Sequence, residues 1–551
     1  MKRTISLILY RIDGKGYKHY RKLLGAQEEI NDTIIRIIRV QGDPFAPPSV
    51  VGLEAVNVFP NWSNRYPVAL GDWVYRRLYS LLKRYSGRRG EGRSGFLGLP
   101  KPSPVMLKRS GVEVLGDRVI ARVWIGLPSK RRRILGEVAR ELLLEILPRV
   151  FRRALEWERD ERRLREHISV WRLQEYLRSR LPSMGLVSFI GDGSILPRKC
   201  GGCDEPLPGA VPFESPRSLR VEIEVPWLSE NIVGMGVRRG VTVVMGSAFH
   251  GKSTLLEAIA AGVWNHIPGD GRERVVTIRE AMYVRAEDGR FISCVDVSSF
   301  IHNLPGGRDT KCFSTSDASG ATSTAASIQE AVEAGAKLLL LDEDTVATNI
   351  LYSDERVEEL VEWKTITPIT KLARDMVKRN LSLIIVSSGS QPLIAVADTI
   401  ILMEAYKPRD ITLEAKKTLN ETSKTGGRGE YRKPPPRIII EPPVLRKPRI
   451  RGRMLVDKSL EAPIPINNIH LVEEAQYNTI ALILSTARRF FRSKSIASAC
   501  RRIEETLRRG EYESLLGREP GPGLSEVRSL DIAYVVNRLP GLRVAQEDRV
   551  H

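Results

Sequence analysis

The pattern of apolar and polar positions changes three times along the chain. Up to about residue 215, short alternating runs such as VEVLGDRVIARVWIGL (Val112–Leu127) predict a hairpin turning at Gly-Asp. Residues 134–157 carry apolar side chains at helical spacing, and the same pattern continues to Leu181. Between 216 and 412 the strands become apolar throughout: VTVVM (Val241–Met245), KLLLL (Lys337–Leu341), SLIIV (Ser382–Val386) and TIILM (Thr399–Met403). They alternate with helical segments, the texture of a parallel sheet covered on both faces. From 413 to 458 the chain is polar, basic and broken by Pro and Gly, which predicts a flexible linker. Beyond it, helical periodicity over 473–490 and 496–509 predicts a small helical C-terminal domain. The fold class is therefore α/β, a nucleotide-binding core (216–412) flanked by an N-terminal α+β domain (1–215) and that helical domain (459–551).

Composition narrows the picture. No apolar run approaches the eighteen or so residues of a membrane-spanning helix, and no export signal is evident at the N-terminus, so a cytoplasmic protein is expected. Five cysteines argue for a reducing compartment without a disulfide framework. Cys200-Gly-Gly-Cys203 lacks the second pair that a tetrahedral zinc site needs. Charge is unevenly placed: +20 overall, with 16 basic against 3 acidic residues between 76 and 133, and 13 against 4 between 416 and 458. The centre, 241–405, holds 15 basic and 22 acidic residues. Segregation of this kind points to a polyanionic partner. Arg88, Arg89, Arg93, Lys130, Arg131, Arg132 and Arg133 are the expected phosphate contacts, with RNA preferred over DNA.

The chemistry lies in the centre. Gly246-Ser247-Ala248-Phe249-His250-Gly251-Lys252-Ser253 follows the strand VTVVM and precedes a helix beginning near Thr254. This spacing lets backbone N–H groups and a helix N-terminus cradle phosphates. Lys252 is expected on the β- and γ-phosphates of ATP, and the Ser253 hydroxyl on Mg²⁺. The strand LLLLD ends at Asp342, a second Mg²⁺ contact, and Glu343 follows as the base that takes a proton from water. His250 is expected to pack the loop or to hydrogen-bond a phosphate, and not to act as the base. Ser319-Gly320 opens a helix 23 residues before Asp342.

With those motifs, and with phrases such as QGDPFAPPS (Gln41–Ser49), GDGSILPR (Gly191–Arg198), NHIPGDGRE (Asn265–Glu273) and DEDTVATN (Asp342–Asn349), the chain resembles the predicted ATPases of the ABC class over nearly its whole length. The resemblance implies a head-to-tail homodimer in which Ser319-Gly320 of one subunit closes on nucleotide held by the other. Several positions depart from ABC transporters. Asp344 stands where Pro is usual, and Asn349 where the D-loop aspartate falls. Ser387-Ser388-Gly389-Ser390 replaces the switch histidine, with Ser388 or Ser390 as the expected substitute donor. Asn303 is a weak counterpart of the Q-loop glutamine. Trp227 is the nearest aromatic for stacking on adenine, although a core Trp is the preferred reading. The alternatives are an ATPase acting on a protein or membrane-associated partner, and a nucleotide-gated binding module with little hydrolysis.

Overall fold

The computed structural model describes residues 4–353, 360, 362–420, 429–442, 445–486 and 488–547. The chain divides into two compact units. The first comprises Met1–Arg172, Val472–Leu482 and Glu505–Glu526; the second comprises Leu173–Leu471, Ile483–Glu504 and Val527–His551.

The first unit is built on an antiparallel sheet of β1 (Gln27–Ile30), β2 (Thr33–Arg39), β3 (Ser49–Val56), β4 (Leu97–Gly98), β5 (Val112–Leu115) and β6 (Arg118–Ile125), with the path β1-β2-β3-β6-β4 and β5 beside β6. The expected hairpin is present, Leu115 pairing with Arg118 across Gly116-Asp117. Helix α1 (Pro67–Tyr85), with Pro at its first turn, buries Leu70, Val74 and Leu78 completely. The expected helix after 134 runs over 136–155 with a π turn at Glu141–Ile146. It does not continue unbroken: residues 156–160 interrupt it before the helix Glu161–Arg180.

A buried ionic network decides where the segment after 472 belongs. The Arg109 guanidinium, 1% exposed, binds Glu473 at 2.8 Å and also Asp72, which Arg76 holds at 2.7 Å. Burial alone would raise the Asp72 pKa, but Arg76 and Arg109 hold it far below the carboxylate range. Residues 472–482 thus pack into the first unit. The expected separate C-terminal domain gives way to helices Glu474–Thr486 and Ile496–Arg509 whose residues are shared between the two units.

The second unit contains β7 (Leu186–Gly191), β8 (Arg220–Ile223), β9 (Ile232–Arg238), β10 (Val241–Met245), α2 (Lys252–Ala261), β11 (Val275–Thr277), β12 (Ala281–Val284), α3 (Gly320–Ala334), β13 (Leu338–Asp342), α4 (Ile369–Lys378), β14 (Ser382–Val386), β15 (Thr399–Glu404) and β16 (Lys407–Asp410). An antiparallel sheet runs β8-β9-β7-β11, and a six-stranded one runs β12-β13-β14-β10-β15-β16. In the latter the first five strands are parallel and β16 is antiparallel. Because β7 pairs with β9, Ile190 opposite Met235, the unit begins near residue 173 rather than at 216.

The segment read as a flexible linker is structured where it is described. Strand β17 (Arg437–Glu441) pairs with β18 (Arg543–Gln546), Ile439 opposite Val544. Arg437 is buried and binds Glu333 at 2.6 Å and the Ser293 carbonyl at 2.8 Å. Those pairings supply the burial that composition alone did not reveal. Residues 421–428 and 443–444 of this segment lie outside the described residues.

Four cysteines pair, contrary to expectation: Cys200 with Cys203, and Cys294 with Cys312. The second pair links Cys294 in the strand Ile292–Val295 to the residue just before its antiparallel partner, Phe313–Thr315, so spatial proximity, not cysteine count, set the outcome. Cys500 is buried and free. Among the described residues no helix is long and apolar enough to cross a membrane.

Candidate functional site

At the end of β10 the chain turns through Gly246 at φ +141°, where a Cβ would lie 2.4 Å from the Met403 carbonyl oxygen. Ser247, Ala248 and Phe249 follow on the exposed rim, with Phe249 94% exposed. Gly251 caps α2 in the left-handed region, φ +95°, and only its missing Cβ lets the Tyr406 ring approach. Lys252 Nζ donates to the Ser247 carbonyl at 2.9 Å, so the cation already spans the loop it closes. Ser253 Oγ donates to Asp342 Oδ2 at 2.8 Å, which joins the loop to the end of β13. Thr254 follows in the first turn of α2. A hydroxyl and a carboxylate side by side are hard oxygen donors, the kind that Mg²⁺ accepts.

His250 is engaged in packing. Its Nδ1 accepts from Ala405 N and its carbonyl from Tyr406 N, each at 3.1 Å. Both turn residues have positive φ, 46° and 67°, so the histidine braces a tight turn between β15 and β16.

Glu343 is held by four hydrogen bonds. Its Oε2 accepts from Ser387 Oγ at 2.8 Å, Ser388 N at 2.9 Å and Ser388 Oγ at 3.2 Å, and its Oε1 accepts from the Tyr352 hydroxyl. Burial alone would raise its pKa, but Tyr352 and the two serines hold it below the ordinary glutamate value. The same bond, after desolvation, pushes the Tyr352 phenol up to about 12. Ser387 and Ser388, from the stretch that replaces the switch histidine, thus both donate to Glu343. Tyr352 was invisible to sequence reading, because no motif spacing marks it. Tyr406 was invisible for the same reason, lying in a hairpin turn far from the loop in sequence.

Ser319 caps α3, accepting from Thr322 N at 3.4 Å, and Gly320 is the first helical residue. Ser319 is exposed and makes no hydrogen bond with residues 246–253 among those described. Beneath it α3 is fixed by Glu330, which Arg290 binds at 2.9 Å in the interior. Trp227 packs against the core of Leu177, Phe189 and Ile223 and meets Tyr176 edge-on at 5.1 Å, so the core reading fits. Asn303 accepts Trp363 Nε1 on its carbonyl at 2.7 Å, and Asn349 is exposed on a short helix.

The description of a P-loop domain, ABC_ATPase, matches residues 160–435, and that of an ATPase of the ABC class N-terminal region matches residues 2–158. The chain belongs to the ABC-class ATPases. A relative of Methanocaldococcus jannaschii, an uncharacterised protein, is 32% identical over 250 residues, which are 44% of this chain and 55% of that one. The chain thus spans about half of that relative's length. Solved structures matched by part of the chain include the ADP conformation of an ATP-binding cassette of an ABC transporter, MJ1267, at 12% identity, covering 37% of this chain and 94% of that one, with TM-score 0.24. Another is CbiO1 of Clostridium perfringens, at 17% identity, covering 37% and 93%, with TM-score 0.24.

The N-terminal unit of this ABC-class ATPase brings two basic sequence stretches together. Lys130 and Arg133 lie on a two-stranded hairpin whose turn residues, Arg131 and Arg132, have φ +48° and +57°. The loop carrying Arg88, Arg89 and Arg93 docks on it: Glu91 N donates to the Ser129 carbonyl at 3.0 Å, and Ser129 N to Ser94 Oγ at 3.1 Å. Gly90 permits this approach, since a Cβ there would lie 2.2 Å from the Ser129 oxygen. Arg88, Arg93 and Lys130–Arg133 are exposed, and Arg89 is partly covered near Glu141 at 3.7 Å. The charge count overstated this surface. Arg76, Arg109 and Arg122 of the same block are turned inward onto Asp72, Glu473 and Glu113, and Arg437 of the second block is buried.

Proposed function

We propose that this ATPase binds and hydrolyses ATP with Mg²⁺ in a head-to-tail homodimer, and holds nucleic acid, RNA in preference to DNA, on the basic surface of its N-terminal unit. The carrying observation is the Glu343 carboxylate, kept ionised by Tyr352, Ser387 and Ser388, on the residue next to Asp342 and its bond to Ser253. Lys252, released from the Ser247 carbonyl, reaches the β- and γ-phosphates. The backbone N–H groups of 246–253 and the N-terminus of α2 hold the phosphate oxygens. Ser253 and Asp342 would hold Mg²⁺, which neutralises charge developing on the phosphates. Glu343 accepts the proton of the attacking water, with Ser387 and Ser388 fixing its orientation. Ser319 and Gly320, unengaged with their own loop, would complete the site of a second copy. The ring of Tyr406 beside Gly251 offers the base a face that Trp227 does not.

Turnover assays test the reading. Lys252→Ala should lose ATP binding. Glu343→Gln should keep it and lose roughly 10²–10⁴-fold in turnover, the usual contribution of a positioned base. Equal turnover in wild type and Glu343→Gln removes Glu343 as base; negligible turnover in the wild type leaves a nucleotide-gated module. For the basic surface, replacing Lys130, Arg131, Arg132 and Arg133 with Ala should weaken RNA binding across sequences. It should also flatten the salt slope by about one unit for each RNA phosphate that is no longer neutralised. Unchanged affinity and slope, or preferential binding to acidic liposomes or proteins, would move the partner to another class.

A further inference from the structure

Within the first unit lies a cavity of about 560 Å³, in the range of small-molecule sites. Its walls come from β2, Val50, Trp124 and the C-terminal stretch 516–524, and they are mostly apolar: Leu24, Ile38, Leu482 and Leu516 among them. Three arginines also line it, Arg36, Arg39 and Arg518, with one carboxylate, Glu519. That carboxylate is already engaged, bound to Arg36 at 2.9 Å and to Arg122 at 3.3 Å. Arg39 is steadied by the Pro48 carbonyl at 3.2 Å, and neither it nor Arg518 has a carboxylate partner among the described residues.

Both arginines reach solvent at the mouth of the cavity, and two like charges facing one cavity repel. The Arg39 guanidinium is accordingly held below its ordinary pKa, first by desolvation and then by the Arg518 charge. An anion between them would relieve both effects with charge-assisted hydrogen bonds. The half-buried Trp124 ring, whose Cζ2 would lie 3.2 Å from a Cβ on Gly523, supplies a flat apolar wall beside the cations.

We propose that this cavity is a second ligand site, separate from the phosphate loop, taking an aromatic phosphate monoester with its phosphate between Arg39 and Arg518 and its ring against Trp124. Naphthyl phosphate is the probe, titrated calorimetrically into the full-length protein in the presence of saturating ATP. Binding should exceed that of naphthol and of inorganic phosphate. It should fall about tenfold or more in Arg39→Leu and in Arg518→Leu, the worth of one hydrogen bond to a charged group. Arg39→Lys should retain part of it, and Trp124→Leu should weaken naphthyl phosphate more than inorganic phosphate. Should Arg39→Leu fail to fold, Arg518→Leu, altered in a different segment, decides alone. No binding of the probe, or equal affinity in wild type and Arg518→Leu, overturns the site. Loss of binding on adding ATP would place the probe in the phosphate loop and equally overturn it.

Discussion

Glu343 shows what one residue's surroundings contribute. A lone glutamate at a strand end would titrate near 4.3, but here the Tyr352 hydroxyl and the two serines stabilise its charged form. A base works only when ionised, so a depressed pKa carries activity to lower pH. Removing a donor must raise the pKa and move the loss of activity to higher pH. In Tyr352→Phe the acidic limb of the turnover–pH profile should therefore shift upward, with turnover at neutral pH nearly unchanged. A profile identical to wild type would mean that Tyr352 does not set the Glu343 charge. The phosphate loop and Asp342-Glu343 were legible in the sequence because each is a contiguous motif between a recognisable strand and helix. Tyr352 and Tyr406 were not, since one follows a short helix and the other sits in a hairpin turn, and no residue pattern marks either. Arginines were the least legible: Arg109 and Arg437 count as surface charge in composition, yet both are buried against carboxylates.

Among elements, strands apolar on both faces read correctly as a parallel sheet, and the hairpin at Gly116-Asp117 fell where its turn residues put it. The boundaries failed where pairing joins distant segments. Strand β7 is claimed by β9, and residues 472–482 are claimed by Arg109; neither partnership leaves a local trace. The Arg109 network gives that claim a measurable strength. Replacing Arg109 with Met leaves Glu473 a buried charge without its cation and takes from Asp72 one of its two arginines, which should cost about 3–5 kcal/mol in denaturant unfolding. The pH sign follows from Asp72, whose folded pKa is depressed. Its stabilisation is complete above the unfolded value near 4 and is lost as pH falls toward the folded one. Wild type should thus lose stability in acid, and Arg109→Met should lose less over the same range. A stability cost below about 1 kcal/mol would reduce the network to the worth of a surface pair.

At the scale of the molecule, the phosphate loop and Glu343 lie in the second unit and the exposed basic surface in the first. ATP turnover without RNA should therefore survive loss of Lys130–Arg133. The central claim concerns two copies, with Lys252 of one and Ser319 of the other serving the same nucleotide. Lys252→Ala removes the phosphate cation, and Ser319→Arg puts bulk and charge on the opening turn of α3, so each protein alone should be inactive. Their mixed dimer regains one complete site, pairing the intact loop of the Ser319→Arg chain with the intact Ser319 of the other. Statistical exchange of equal amounts then predicts about a quarter of wild-type turnover, since half of the dimers are mixed and half of their sites are whole. The measurement is ATP turnover of the equimolar mixture. Recovery near that level is the result expected of shared sites, and a mixture as inactive as its two components would contradict them.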